Sequence, residues 1–216
     1  MQRALIVILW LLLPLAGCTT LYIPPSHTQF HYQAPKQRQA QLRTLHQWRI
    51  SGALSIQTHQ HTHILRYQWT QHANTSRITL HAALNLAEWQ LIAKPHYLDI
   101  RQGNHRWQSD QPQTFLQKQL GWQLPLDALS HWMRGMPLPG KHQAHYDSWG
   151  HLIRLSQRGW QVQWPRYQCI NGTDLPQMLI IEGHRLKIRI AIKQWWLHTA
   201  NGHCHNKRVM AINAQD

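Results

Sequence analysis

A period of two recurs along most of this chain, and it restricts the fold more than any other feature. Leu186, Ile188, Ile190 and Ile192 alternate with Lys187, Arg189 and Lys193. Successive side chains of a strand point to opposite faces, so this run is a half-buried strand with one apolar and one cationic face. Ile50, Gly52, Leu54 and Ile56 show the same period, as do Leu65, Tyr67 and Trp69. It returns in Ile78 and Leu80, in Trp89 and Leu91, in Leu152 to Gln157 and in Trp160, Val162 and Trp164, and less regularly from Tyr97 to Ile100. Such a series reads as a meander of antiparallel strands with one face on a core.

Helical spacing precedes the series once and interrupts it twice. Leu42, Leu45 and Trp48 share one face of an expected helix over Gln37–Trp48. Ser109 or Asp110 can cap a second helix that buries Phe115, Leu116 and Leu120. Pro125 suits the first turn of a third helix, whose apolar face is Leu126, Leu129, Trp132 and Met133, and Gly135 with Pro137 stops it. These apolar faces must pack on one side of the sheet. The expectation is a mainly β fold with some α, of roughly nine or ten strands. The sheet curls without necessarily closing, and large inward residues surround an apolar cavity.

The N-terminus reads as an export signal. Arg3 is followed by ten apolar residues, Ala4 to Leu13, too few to span a bilayer as a helix. Leu15-Ala16-Gly17-Cys18 then looks like a lipobox, with residues 1–17 cleaved and Cys18 carrying S-diacylglycerol and N-palmitoyl groups. Several acyl chains on one residue anchor firmly, since each buried CH₂ contributes about 0.8 kcal/mol. Thr19, rather than Asp, follows the cysteine, which by known sorting rules favours the outer membrane. Residues 18–35 are polar and carry three prolines, the composition of a flexible tether. A domain over 36–200 and a polar tail over 201–216 complete the division.

The full chain has 22 Lys and Arg against 8 Asp and Glu. An exported protein does not meet nucleic acid, so lipid headgroups, lipopolysaccharide phosphates or an acidic protein suit this excess better. Cys169 and Cys204 could form one disulfide in an oxidising compartment. No nucleophile elbow, zinc-protease helix, P-loop or dinucleotide motif occurs, and the scattered carboxylates supply no evident acid/base pair. His59, His61 and His63 would share a strand face, but with no fourth ligand or supporting carboxylate nearby a polar hairpin tip is the better account of them. No enzyme activity, metal or non-covalent cofactor is expected.

Four segments behind the lipobox carry a resemblance. They are Trp48-Arg49-Ile50-Ser51-Gly52-Ala53-Leu54, Leu124-Pro125-Leu126 through Trp132-Met133-Arg134-Gly135-Met136-Pro137, Leu155-Ser156-Gln157-Arg158-Gly159-Trp160 with Tyr167, and Leu175-Pro176 followed by Lys187 to Trp195. In this order the chain resembles the LolB family of outer-membrane lipoprotein receptors, over about Leu45 to Leu197. The resemblance implies an incomplete, half-open antiparallel β-barrel, with two or three short helices covering an apolar cavity. It implies a monomeric receptor in the outer membrane, facing the periplasm. The receptor would take lipoprotein cargo from the soluble carrier LolA, hold its acyl chains and insert it into outer-membrane lipid. A protruding loop with an exposed leucine assists insertion in the family, and alignment through Ile78 to Leu91 puts that leucine at Leu84. Candidate cavity residues are Leu54, Tyr67, Trp69, Leu80, Trp89, Leu91 and Trp132. The alternative is an outer-membrane lipoprotein that grips lipopolysaccharide or another anionic polymer through the basic face of Lys187, Arg189 and Lys193.

Overall fold

The computed structural model describes residues 30–82, 87–120 and 125–198. Among them, the first meander comprises β1 (Gln47–Gln57), β2 (Thr62–His72), β3 (Thr75–Ala82), β4 (Glu88–Lys94), β5 (Tyr97–Gln102) and β6 (His105–Ser109). The second comprises β7 (Gln143–Tyr146), β8 (Leu152–Gln157), β9 (Trp160–Ile170), β10 (Thr173–Gly183) and β11 (Leu186–Leu197). All adjacent strands pair antiparallel, and β1 pairs with β11 to fuse the meanders into one sheet of order β6-β5-β4-β3-β2-β1-β11-β10-β9-β8-β7. The edges β6 and β7 do not meet, so the barrel stays open, as the sequence reading expects.

That topology dictates where the helices go. The chain leaves the sheet at one edge, β6, and re-enters at the other, β7. The connection must therefore cross a face of the sheet. It does so through α2 (Pro112–Leu120) and α3 (Leu126–Met133), while α1 (Pro35–Arg43) precedes β1. Ser109 Oγ accepts from the Gln111 amide ahead of α2, and Gly135 ends the turn after α3 at φ +77°, where a side chain would be strained. The main core lies under α3. Trp132, Trp160 and Trp164 are almost wholly buried there with Met133, Val162, Leu155 and Leu179. A smaller cluster of Leu116, Ala93 and Leu98, with Phe115 packed on it, fastens α2 to β4 and β5.

The helix expected over Gln37–Trp48 is shorter. It ends at Arg43, and Trp48 belongs to β1. Leu42, Leu45 and Trp48 are all buried, so the apolar signal is right and its attribution to one helix is not. Three strands escape the sequence reading: β6, β7 and β10. β10 contains Pro176 and two register shifts against β9, which erase its period of two.

The segment 30–34, placed in the tether by composition, lies on the β7–β8 hairpin. Phe30 meets His151 edge-on at 4.7 Å, and the Gln33 amide donates to the Trp149 carbonyl at 3.2 Å. Behind it, buried Arg38 of α1 donates to Asp174 Oδ2 at 3.2 Å and to the Trp149 carbonyl. The ring of His151, also buried, has Asp147 Oδ2 at 2.9 Å on one nitrogen and Asp174 Oδ2 at 3.1 Å on the other. Cys169, near the end of β9, is disulfide-bonded, and Cys18 and Cys204 both lie outside the described residues.

Candidate functional site

Between the concave face of the sheet and the two crossing helices lies a cavity of about 120 Å³. Its floor comes from alternate residues of four neighbouring strands: Leu54 and Ile56 of β1, Tyr67 and Trp69 of β2, Ile78 and Leu80 of β3, and Ile188 and Ile190 of β11. Its roof is Leu116 of α2 with Leu126, Leu129 and Met133 of α3. The period of two sends these strand residues inward together, and helical spacing sets the roof residues on one stripe.

The polar atoms of the lining turn away from the space. The Tyr67 hydroxyl donates to the Ala191 carbonyl at 3.4 Å, and burial pushes this phenol well above its ordinary pKa. Trp69 Nε1 donates to Gln71 Oε1 at 3.1 Å. What remains facing the cavity is hydrocarbon and aromatic ring, suited to apolar ligands and to nothing that carries charge.

Arg134 pins the roof. This buried residue donates through one terminal nitrogen to the carbonyls of Leu42 (3.2 Å) and Leu45 (3.1 Å), and through Nε to Ser130 O of α3 at 3.0 Å. Desolvation lowers its pKa to about 10, still cationic at neutral pH. Gln157 of β8 holds the following turn. Its Nε2 donates to the Leu138 carbonyl and its Oε1 accepts from the Leu138 amide. Thus the roof is tied at its C-terminal end, and α2 rests on its own small cluster.

The structure places four of the seven sequence candidates, Leu54, Tyr67, Trp69 and Leu80, around this cavity. Trp89 and Leu91 pair with Leu80 and Ile78 across β3 and β4, half-buried, on the same face but beyond the lining. Trp132 is removed from the cavity altogether. It packs against Trp160 at 6.4 Å between ring centroids, with no exposed surface. Its helical spacing marks it as buried without saying which neighbour covers it. The lining residues not singled out from sequence, such as Ile56, Ile78 and Ile188, carry the same parity as those that were. Leu84 and Cys18 lie outside the described residues. His59 and His61 sit at the β1–β2 turn, His63 on β2, and among the described residues no three His, Cys, Asp or Glu side chains gather as a metal site.

The family model described as outer membrane lipoprotein LolB matches residues 46–195. A protein of Coxiella burnetii named outer-membrane lipoprotein LolB is 37% identical over 183 residues, covering 84% of this chain and 87% of its own length. One of Stutzerimonas stutzeri with the same name is 33% identical over 192 residues, covering 86% and 91%. Among solved structures, a LolA superfamily protein of Nitrosomonas europaea overlays with TM-score 0.48 at 10% identity, covering 78% of this chain and 95% of its own. With a family model spanning nearly every strand and relatives above 30% identity over most of its length, the chain belongs to the LolB family.

Proposed function

We propose that this chain is an outer-membrane-anchored receptor that accepts lipoproteins from the periplasmic carrier LolA, shelters their acyl chains and releases them into the membrane. The observation that carries this reading is the cavity lined by apolar side chains between sheet and helices. Acyl chains in water cost about 0.8 kcal/mol per exposed methylene. A relay of apolar sites removes that cost without an energy source, provided the receiving site holds the chains more tightly. Cys18, lipid-modified, keeps the receptor at the bilayer.

The lining reaches toward the end of the barrel where β3 stops at Ala82, two positions before Leu84 in the chain. Leu54 and Ile56 of the lining pair with Leu65 and His63 of β2, and Leu65 pairs with Ala82, the last residue of β3. Ile64, two-thirds exposed, stands at this same end. Ile64 shares the parity of Arg66 and so lies on the outer face of β2, where an exposed apolar side chain suits a protein that must touch lipid during release.

The test is transfer of a labelled lipoprotein from purified carrier to the mature chain carrying Cys18→Ala. Stoichiometric transfer is expected, and cargo that stays on the carrier would overturn the receptor reading. Leu84→Glu should leave this first step intact and slow release into vesicles; release at the unaltered rate would assign Leu84 to packing.

A further inference from the structure

The outer face of the sheet, opposite the cavity, holds a groove of about 670 Å³ along the β1–β11 seam. Small residues form its floor: Ser51, Gly52 and Ala53 of β1 and Ala191 of β11. The backbones approach so closely that a Cβ at Gly52 would stand 2.0 Å from the Ala191 carbonyl oxygen. The walls are long and cationic, from Arg66 of β2, Arg166 of β9 and Lys193 of β11, with His81 of β3 beside them. Among the described residues, no Asp or Glu lines the groove. Glu88 of β4 meets His81 Nδ1 at 3.5 Å from outside it.

Two β-bulges build this arrangement. Ser51 pairs with Gln194 and Gly52 with Ile192, which leaves Lys193 as the extra residue of β11. Pro176 pairs with Tyr167 and Met178 with Arg166, which leaves Gln177 as the extra residue of β10. Both extra residues line the groove. A bulge gives up ladder hydrogen bonds and re-aims a side chain, a pattern concentrated beside functional sites. Neither bulge contributes to the apolar cavity.

We propose that this groove binds the phosphate group of a lipid headgroup in the bilayer to which the chain is tethered. Two arginines and a lysine line one space, and guanidinium forks match phosphate oxygens in pairs. Ala53, Ala191 and Met178 add carbon surface between them, which suits the glycerol stem next to a headgroup phosphate. The eleven residues between Cys18 and Phe30 reach at most about 40 Å, so an anchored chain never leaves the headgroup layer by much more than a domain's width. The proposal rests on the anchored-chain reading and not on lipoprotein transfer.

Flotation with vesicles tests it, using the mature Cys18→Ala chain so that the anchor contributes nothing. The groove variant combines Arg66→Gln, Arg166→Gln and Lys193→Gln. A variant of equal net charge combines Arg77→Gln, Arg154→Gln and Arg189→Gln, exposed residues outside the groove. The unaltered chain should float with phosphatidylcholine vesicles that contain phosphatidylglycerol and not with phosphatidylcholine alone. The groove variant should lose about a hundredfold in partitioning, since each cation near an anionic bilayer is worth about fivefold. The equal-charge variant should lose less than tenfold. Equal losses in the two variants would overturn the site in favour of diffuse charge. Binding of free glycerol 3-phosphate without vesicle flotation would overturn the lipid as its source. Carrier-to-receptor transfer measured on the same groove variant keeps the two readings apart, because it should proceed at the unaltered rate.

Discussion

Histidine and glutamine are frequent in this chain, and single positions show what they do. Gln71 and Gln157 are buried amides whose oxygens accept from the indole nitrogens of Trp69 and Trp132. Trp164 and Trp195 donate instead to the carbonyls of Trp132 and Pro176 at 2.9 Å. Large indoles can thus be buried with each of these N–H groups satisfied. His131, in the last turn of α3, is a different case. Burial lowers its pKa from 6.5, and the Arg134 charge acts in the same direction. Its neutral form is therefore the one the fold accommodates. Below 6.5 the unfolded chain takes up this proton more readily than the folded one, so stability is complete above that pH and falls as pH drops. Urea unfolding from pH 7.5 to pH 5 should show a steeper loss in the unaltered chain than in His131→Gln. Parallel curves would mean that this ring does not govern the acid sensitivity of the roof.

At the scale of elements, the N-terminal segment is held by charge where the sheet is held by hydrocarbon. Arg38 and Asp174, with side chains 6% and 12% exposed, join α1 to β10, and His151 ties the β7–β8 hairpin to the same carboxylate. Removing one partner of such a pair strands the other: Asp174→Ala should cost about 3 kcal/mol in chemical unfolding. The double variant Arg38→Met with Asp174→Leu leaves no charge stranded, so it should recover most of that loss. If the double variant is as unstable as the single, the hydrogen bonds to His151 and Trp149, and not the charge pair, hold the latch. None of this was legible in the sequence, since Arg38 and Asp174 lie 136 positions apart with no periodicity joining them. What was legible is whatever repeats. β11 announces itself because Leu186 to Ile192 never break step, whereas β10 carries the same kind of inward residues, Leu175, Leu179 and Ile181, and is hidden by Pro176 and the bulges. Parity also placed Trp89 and Leu91 on the correct face but could not say where the roof ends.

For the molecule as a whole, the dimensions of the cavity matter most. About 120 Å³ is slightly less than the roughly 150 Å³ known to accommodate one benzene, and far less than several fatty tails need. Acyl chains held here, as proposed above, would therefore displace something. The floor belongs to a continuous sheet, and Arg134 and Gln157 tie the end of α3 to β8 and to the α1–β1 connection. Among the described residues, α2 has only the small cluster around Leu116 beneath it. It is the element whose release costs least, and it borders the cavity directly through Leu116. Affinity should record this opening. Binding of fatty acids of increasing length to the Cys18→Ala chain should strengthen about fourfold per methylene while the existing space fills, because each buried CH₂ contributes about 0.8 kcal/mol. Once the space is full, further methylenes must separate Leu116 and Phe115 from Leu98 and Ala93, and the gain per carbon should shrink. Leu116→Ala loosens that cluster and adds room, so it should move the break to longer chains while lowering stability by about 2–5 kcal/mol. Equal increments through the longest chains, in both proteins, would mean that the roof stands open in solution and that α2 is no gate.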